Sequence, residues 1–83
     1  MRTVYTKHQT PRGAKADAET ADKVYLIKKV SELRLTYQIR MLAYMAQSRG
    51  KKLVIELPKE ARVHDSLRDY VRDTGQVVEI ERS

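Results

Sequence analysis

Val24-Tyr25-Leu26-Ile27-Lys28-Lys29-Val30, then Thr36-Tyr37-Gln38-Ile39-Arg40, then Lys52-Leu53-Val54-Ile55-Glu56-Leu57 are the three stretches that decide the fold. Val24 to Ile27 is a continuous β-prone run without alternation, which reads as a strand covered on both faces. Ser31 offers an N-cap, with Glu32 in the first turn where a carboxylate suits the helix dipole. Leu35, Ile39, Leu42 and Ala46 then recur at four-three-four spacing, the core stripe of a helix running to about Arg49 and closed by Gly50. Lys52 to Leu57 reads as a second buried strand, ended by Pro58.

Downstream, Asp65 reads as the cap of a second helix whose Leu67, Tyr70, Val71 and Thr74 share a face. Asp65 with Arg68, and Asp69 with Arg72, are spaced to pair along its outer side, and Gly75 stops it. Gln76 to Glu81 alternates, as a sheet-edge strand with one open face does. The order is β-α-β-α-β, and strands separated by helices pair in parallel through right-handed crossovers. The expected fold class is therefore α/β, a small unit with a short, mainly parallel sheet.

Upstream, residues 6 to 22 hold no leucine, isoleucine or valine and cannot anchor themselves in a core. Residues 1 to 23 are expected to form an irregular, flexible arm, and residues 24 to 83 a single α/β domain. Within the arm, Ala14 to Ala21 has the composition for a turn or two of helix, and Arg2 to Tyr5 for an edge strand.

The chain has 83 residues, 17 Lys and Arg against 11 Asp and Glu, a net charge of +6 and a pI near 9.8. So small a domain has a thin core that dimerisation would help, and the basic balance favours nucleic acid, anionic lipid or an acidic protein as partner. The absence of cysteine removes disulfides and thiolate chemistry. No apolar run approaches a membrane span, and no signal-peptide centre stands at the start, so a cytoplasmic protein is expected. His8 and His64 do not stand at zinc-ligand spacing, Pro11-Arg12-Gly13 is a turn rather than a phosphate loop, and no Gly-x-Ser-x-Gly elbow is present.

With Leu33, Tyr37, Met41 and Tyr44 forming a second apolar stripe beside the core one, the first helix is apolar over more than half its circumference. That width points either to burial by the arm or to a partner surface, of which a homodimer contact is the expectation.

Thr36-x-Gln38-Ile39-Arg40, Ala43, Tyr44, Ala46, Gly50 and the strand that follows resemble the C-terminal nuclease domains of bacterial polymorphic toxins with the restriction-endonuclease, PD-(D/E)xK, fold. In that family a Glu-x-Lys strand precedes the helix. The resemblance covers Lys28 to about Ile80 and implies Lys28 as a catalytic lysine beside magnesium-binding carboxylates. Here the position two before Lys28 is Leu26, which cannot bind magnesium, so the carboxylates would have to come from Asp22, from Glu32 or from a second subunit.

The sequence thus favours a nuclease-derived, non-catalytic module binding nucleic acid or protein, with no cofactor. The alternative is a magnesium-dependent DNA or RNA nuclease toxin domain using Lys28, Glu32 and Asp22. Lys28, Lys29, Thr36, Gln38, Arg40, Lys51 and Lys52 are the candidate nucleic-acid contacts. Gln38 and Arg40 lie about 200° apart on the helix, so they cannot serve one small site.

Overall fold

The computed structural model describes residues 16–83, which run β1 (Ala18–Glu19), β2 (Lys23–Ile27), β3 (Glu32–Leu33), α1 (Tyr37–Ser48), β4 (Lys52–Leu57), β5 (Arg62–Val63), α2 (Asp65–Asp73) and β6 (Val78–Arg82). The fold is mixed α/β with a mainly parallel sheet. Its main sheet has the order β1-β2-β4-β6, with β2, β4 and β6 parallel and β1 antiparallel to β2, and β3 pairs with β5 in a small second sheet.

Because the strand order advances in one direction, right-handed crossovers place both helices on the same face. The core agrees: Val24, Leu26, Leu53, Ile55, Leu57 and Val78, at alternate strand positions, cluster with Ile39, Leu42, Ala43, Met45 and Ala46 of α1 and Leu67 of α2. Tyr25, Ile27, Val54, Glu56 and Glu79 alternate with them and belong to the opposite face, which carries no helix among the described residues. The continuous apolar run of β2 is therefore not covered by helices on both sides. Tyr25 is half-buried and Ile27 is exposed. Val54 is fully buried, yet stands outside the core cluster.

The first helix begins later than its sequence suggests. Ser31 does not cap it and Glu32 is not in its first turn. Glu32 and Leu33 pair in parallel with Arg62 and Val63, and the cap is Thr36, whose hydroxyl accepts the Ile39 N–H at 3.2 Å. Ser31 and Thr36 offer the same capping chemistry, and the choice falls to Thr36 because strand pairing ties down the chain before it. Leu33 consequently leaves the helical stripe and is buried in the core, while Leu35 packs on the core from the extended lead-in.

Gly50, at φ +69°, closes α1. The Lys51 N–H bonds the Ala46 carbonyl and the Gly50 N–H bonds the Gln47 carbonyl, a Schellman ending whose left-handed residue favours glycine. The second helix is capped by His64, one residue before the expected Asp65; its Nδ1 accepts the Ser66 N–H at 3.0 Å, and Asp65 sits in the first turn. The expected Asp65–Arg68 and Asp69–Arg72 ion pairs are present. The last strand is an edge strand, as its alternation suggests, but starts at Val78 and runs to Arg82.

Within residues 16–23, Ala18–Glu19 and Lys23 are part of the sheet. Ala18 and Glu19 pair with Tyr25 and Val24 as a strand rather than a helical turn, and the Asp17 carboxylate accepts the Ile27 N–H at 2.7 Å. The edge strand expected at Arg2 to Tyr5 lies outside the described residues.

Candidate nucleic-acid interface

Parallel strands joined by helices give a sheet with two chemically distinct ends. At the amino end, where α1 finishes and β4 begins, Arg49, Lys51 and Lys52 are engaged, and only Lys23 at the start of β2 is not. Glu19 of β1 holds Arg49 at 2.9 Å and also bonds the ammonium of Lys51, which donates at 2.7 Å to the Thr20 carbonyl. Both donors hold the Glu19 carboxyl below its ordinary pKa, the Lys51 hydrogen bond contributing most and partial burial opposing it. Lys52 pairs with Glu79 at 3.7 Å.

At the carboxyl end the pattern is reversed. Lys28 and Lys29 follow β2, Arg34 and Arg40 flank the start of α1, Lys59 follows β4, and Arg62 lies in β5. None of these side chains has an ion-pair or hydrogen-bond partner among the described residues. Glu32, Glu56 and Glu60 share this end and moderate its charge without neutralising any of these cations in a pair. An open cavity of about 300 Å³ lies here, with an apolar floor from Ile27, Leu57 and Pro58 beside Lys28, Lys29 and Glu56. A second cavity of about 420 Å³ lies between β5, the start of α2 and the end of β6.

The residues picked out by sequence thus divide. Lys28, Lys29, Thr36, Gln38 and Arg40 gather toward the carboxyl end, whereas Lys51 and Lys52 belong to the amino end and are ion-paired. Thr36 uses its hydroxyl as the cap of α1, and Gln38 is half-buried in the first turn. Arg40 is exposed.

The acidic candidates do not join Lys28. Asp22 immediately precedes β2 and accepts a hydrogen bond from Thr20, so the length of β2, about 20 Å at strand rise, separates it from Lys28. Glu32 lines the second cavity and Lys28 the first. No group of three or more His, Asp and Glu among the described residues is placed to hold a metal ion. Leu26, two positions before Lys28, is 1% exposed and faces the helices.

Of the expected interface stripe, Tyr37 and Tyr44 are 59% and 67% exposed, Met41 is half-buried against the core, and Leu33 is inside it. The helix is therefore apolar over a narrower arc than the sequence suggests. Two tyrosines about 10 Å apart along the axis flank Arg40, on a helix without a single Asp or Glu.

Sequence reading did not single out Arg34, Lys59, Arg62 or Arg82. They stand on loops and short strands, where no periodicity marks a shared surface; only the return of each connection to the carboxyl end brings them together. Among the described residues no helix is long and apolar enough to cross a membrane. No protein-family model, curated protein or solved structure matches the chain.

Proposed function

We propose that this protein is a small nucleic-acid-binding module that does not cleave its ligand, and that it binds through the carboxyl end of its sheet. The observation that carries this is the asymmetry of the cations: at the amino end Arg49, Lys51 and Lys52 are engaged by Glu19 and Glu79 and only Lys23 is not, while the side chains of Lys28, Lys29, Arg34, Arg40, Lys59 and Arg62 have no partner among the described residues. Unpaired cations that converge from several elements suit a phosphate backbone, which rewards each neutralised phosphate by counterion release. Tyr37 and Tyr44 add exposed rings on which bases stack, so single strands are the preferred ligand. A nuclease ancestry is also part of the proposal, supported by the strand–lysine–helix order and Thr36-x-Gln38-Ile39-Arg40. Leu26 in the core favours the non-catalytic form.

Fluorescence anisotropy with labelled single-stranded and duplex DNA and RNA, titrated over salt, tests the proposal. Lys28→Ala with Lys29→Ala should lower the slope of log affinity against log salt by roughly 0.7 to 0.9 for each phosphate no longer neutralised. An unchanged slope removes these lysines from the interface. Incubation with magnesium or manganese should leave the strands whole; metal-dependent cleavage that Lys28→Ala abolishes would replace the module by a nuclease. A second copy of the chain is the other occupant expected for the Tyr37–Tyr44 stripe, and sedimentation of a Tyr44→Ala variant reports it separately.

A further inference from the structure

The second cavity at the carboxyl end is lined by Arg62, Arg68 and Arg82, with Glu32, His64 and Asp65. Its three guanidinium groups come from three elements, β5, α2 and β6. Two of them are held by backbone. Arg82 donates to the carbonyl of Ala61 and, at 3.4 Å, to that of Lys59, and Arg68 donates to the carbonyl of Val63 at 3.4 Å while standing 3.5 Å from Asp65. The Arg62 side chain has no partner among the described residues, although Arg62 is the register neighbour of Glu32. His64 accepts the Ser66 N–H through Nδ1, a pattern that assigns the proton of the neutral ring to Nε2 and leaves it a donor.

From this convergence we infer that the cavity is a site for a phosphomonoester, the dianionic end group of a 5′-phosphorylated strand or of a small phosphorylated metabolite. Planar guanidinium forks bind phosphate oxygens in pairs, which a scattered set of lysines does not. Backbone bonds that fix Arg68 and Arg82 in advance reduce the ordering such binding requires. The volume, about 420 Å³, is that of a small-ligand pocket. Glu32 and Asp65 set a limit on the net attraction. Asp65 is engaged with Arg68, but Glu32 has no ion pair among the described residues and opposes an incoming anion. The site therefore contains both a residue whose removal weakens binding and one whose neutralisation strengthens it.

The inference deepens the nucleic-acid reading by giving it an end preference, and the experiment separates the two. Oligonucleotides of one sequence, with a 5′-phosphate or a 5′-hydroxyl, are compared by anisotropy at low salt. The phosphorylated strand should bind on the order of tenfold more tightly, the size of a charge-assisted hydrogen bond or two. Arg62→Ala should remove that preference, Glu32→Gln should enlarge it, and Lys28→Ala with Lys29→Ala should weaken both strands while leaving their ratio intact. A nucleoside 5′-monophosphate that competes with an affinity equal to that of the phosphorylated strand assigns the site to a free phosphorylated molecule; one that competes only in large excess assigns it to the strand end. Equal binding of the two strands, with no thermal shift from the monophosphate, overturns the site while the module stands. A thermal shift from the monophosphate, abolished in Arg62→Ala, without binding of either strand, retains the site and removes the module. If Arg62→Ala weakens both strands equally, Arg62 touches only the strand's backbone and the inference fails.

Discussion

The amino and carboxyl ends of this sheet are made from the same kinds of residue and use them differently. At the amino end, Glu19 draws Arg49 and Lys51 onto β1, so one carboxylate fastens β1 to the connection between α1 and β4, about thirty residues away. At the carboxyl end, Lys28, Lys29, Arg34, Arg40 and Arg62 point no charge at a neighbouring carboxylate within ion-pair distance among the described residues. Composition counts all of these cations alike. The fold separates those that hold the structure from those left available to a ligand, and a net charge becomes a functional argument only after that separation.

The largest effect that can sharpen this division is expected at Leu26. In the nuclease arrangement that position carries a metal-binding glutamate, which would make the carboxyl end catalytic. Here the side chain is 1% exposed among core residues, so Leu26→Glu should cost at least ~3 kcal/mol by placing a carboxylate in an apolar site. Thermal denaturation should show collapse of the folded population without rescue by magnesium. A folded variant stabilised by magnesium would mean that Leu26 borders a metal site after all, and the contrast between the ends would have to be redrawn around catalysis.

A smaller effect tests where the carboxyl end begins. Thr36→Ala removes the side-chain cap of α1 and should destabilise by about 1 kcal/mol, whereas Ser31→Ala should change stability by less than about 0.5 kcal/mol. The reverse order in urea melts would return the helix start to Ser31. Lys51→Ala complements this pair. It should lower stability while leaving the salt slope of nucleic-acid binding unchanged, the opposite pattern to Lys28→Ala with Lys29→Ala.

The parallel sheet, both helices and the edge strand were legible because each rests on a pattern that stays local: apolar runs, a four-three-four stripe, and glycines at the ends. Capping was legible in kind but not in place. Ser31, Thr36, His64 and Asp65 can all accept a backbone N–H, and what chose Thr36 was the pairing of Glu32 and Leu33 with Arg62 and Val63, about thirty residues away. Separation along the chain also hid the second cavity, whose arginines come from β5, α2 and β6 and whose Glu32 comes from β3. Leu33 misled for a related reason: an apolar residue at helical spacing before a helix is also an apolar residue on a short strand, and both bury it. The short β1 escaped notice because Ala18 and Glu19 favour helix by propensity, and only the edge of β2 makes them a strand.

The smallest effects belong to the ion pairs of the amino end, and the one at Glu19 is resolved by pH. Its carboxyl is held below the ordinary range by Lys51 and Arg49, so the unfolded chain binds the proton more readily than the folded one. Stability from the clamp is then complete above the ordinary glutamate value of about 4.3, and is lost as pH falls through the lower folded value. The three side chains are partly exposed, so Glu19→Gln should cost no more than about 1 kcal/mol at neutral pH. The difference between wild type and variant in urea midpoint should shrink below pH 4 and disappear once Glu19 is protonated in both states. Lys52→Ala, which breaks only the longer and more exposed pair with Glu79, should show a smaller difference over the same range. If instead the Glu19→Gln difference persists undiminished at acid pH, the amino end is held by packing of β1 rather than by charge. The two ends would then differ in the company their cations keep, but not in what those cations contribute.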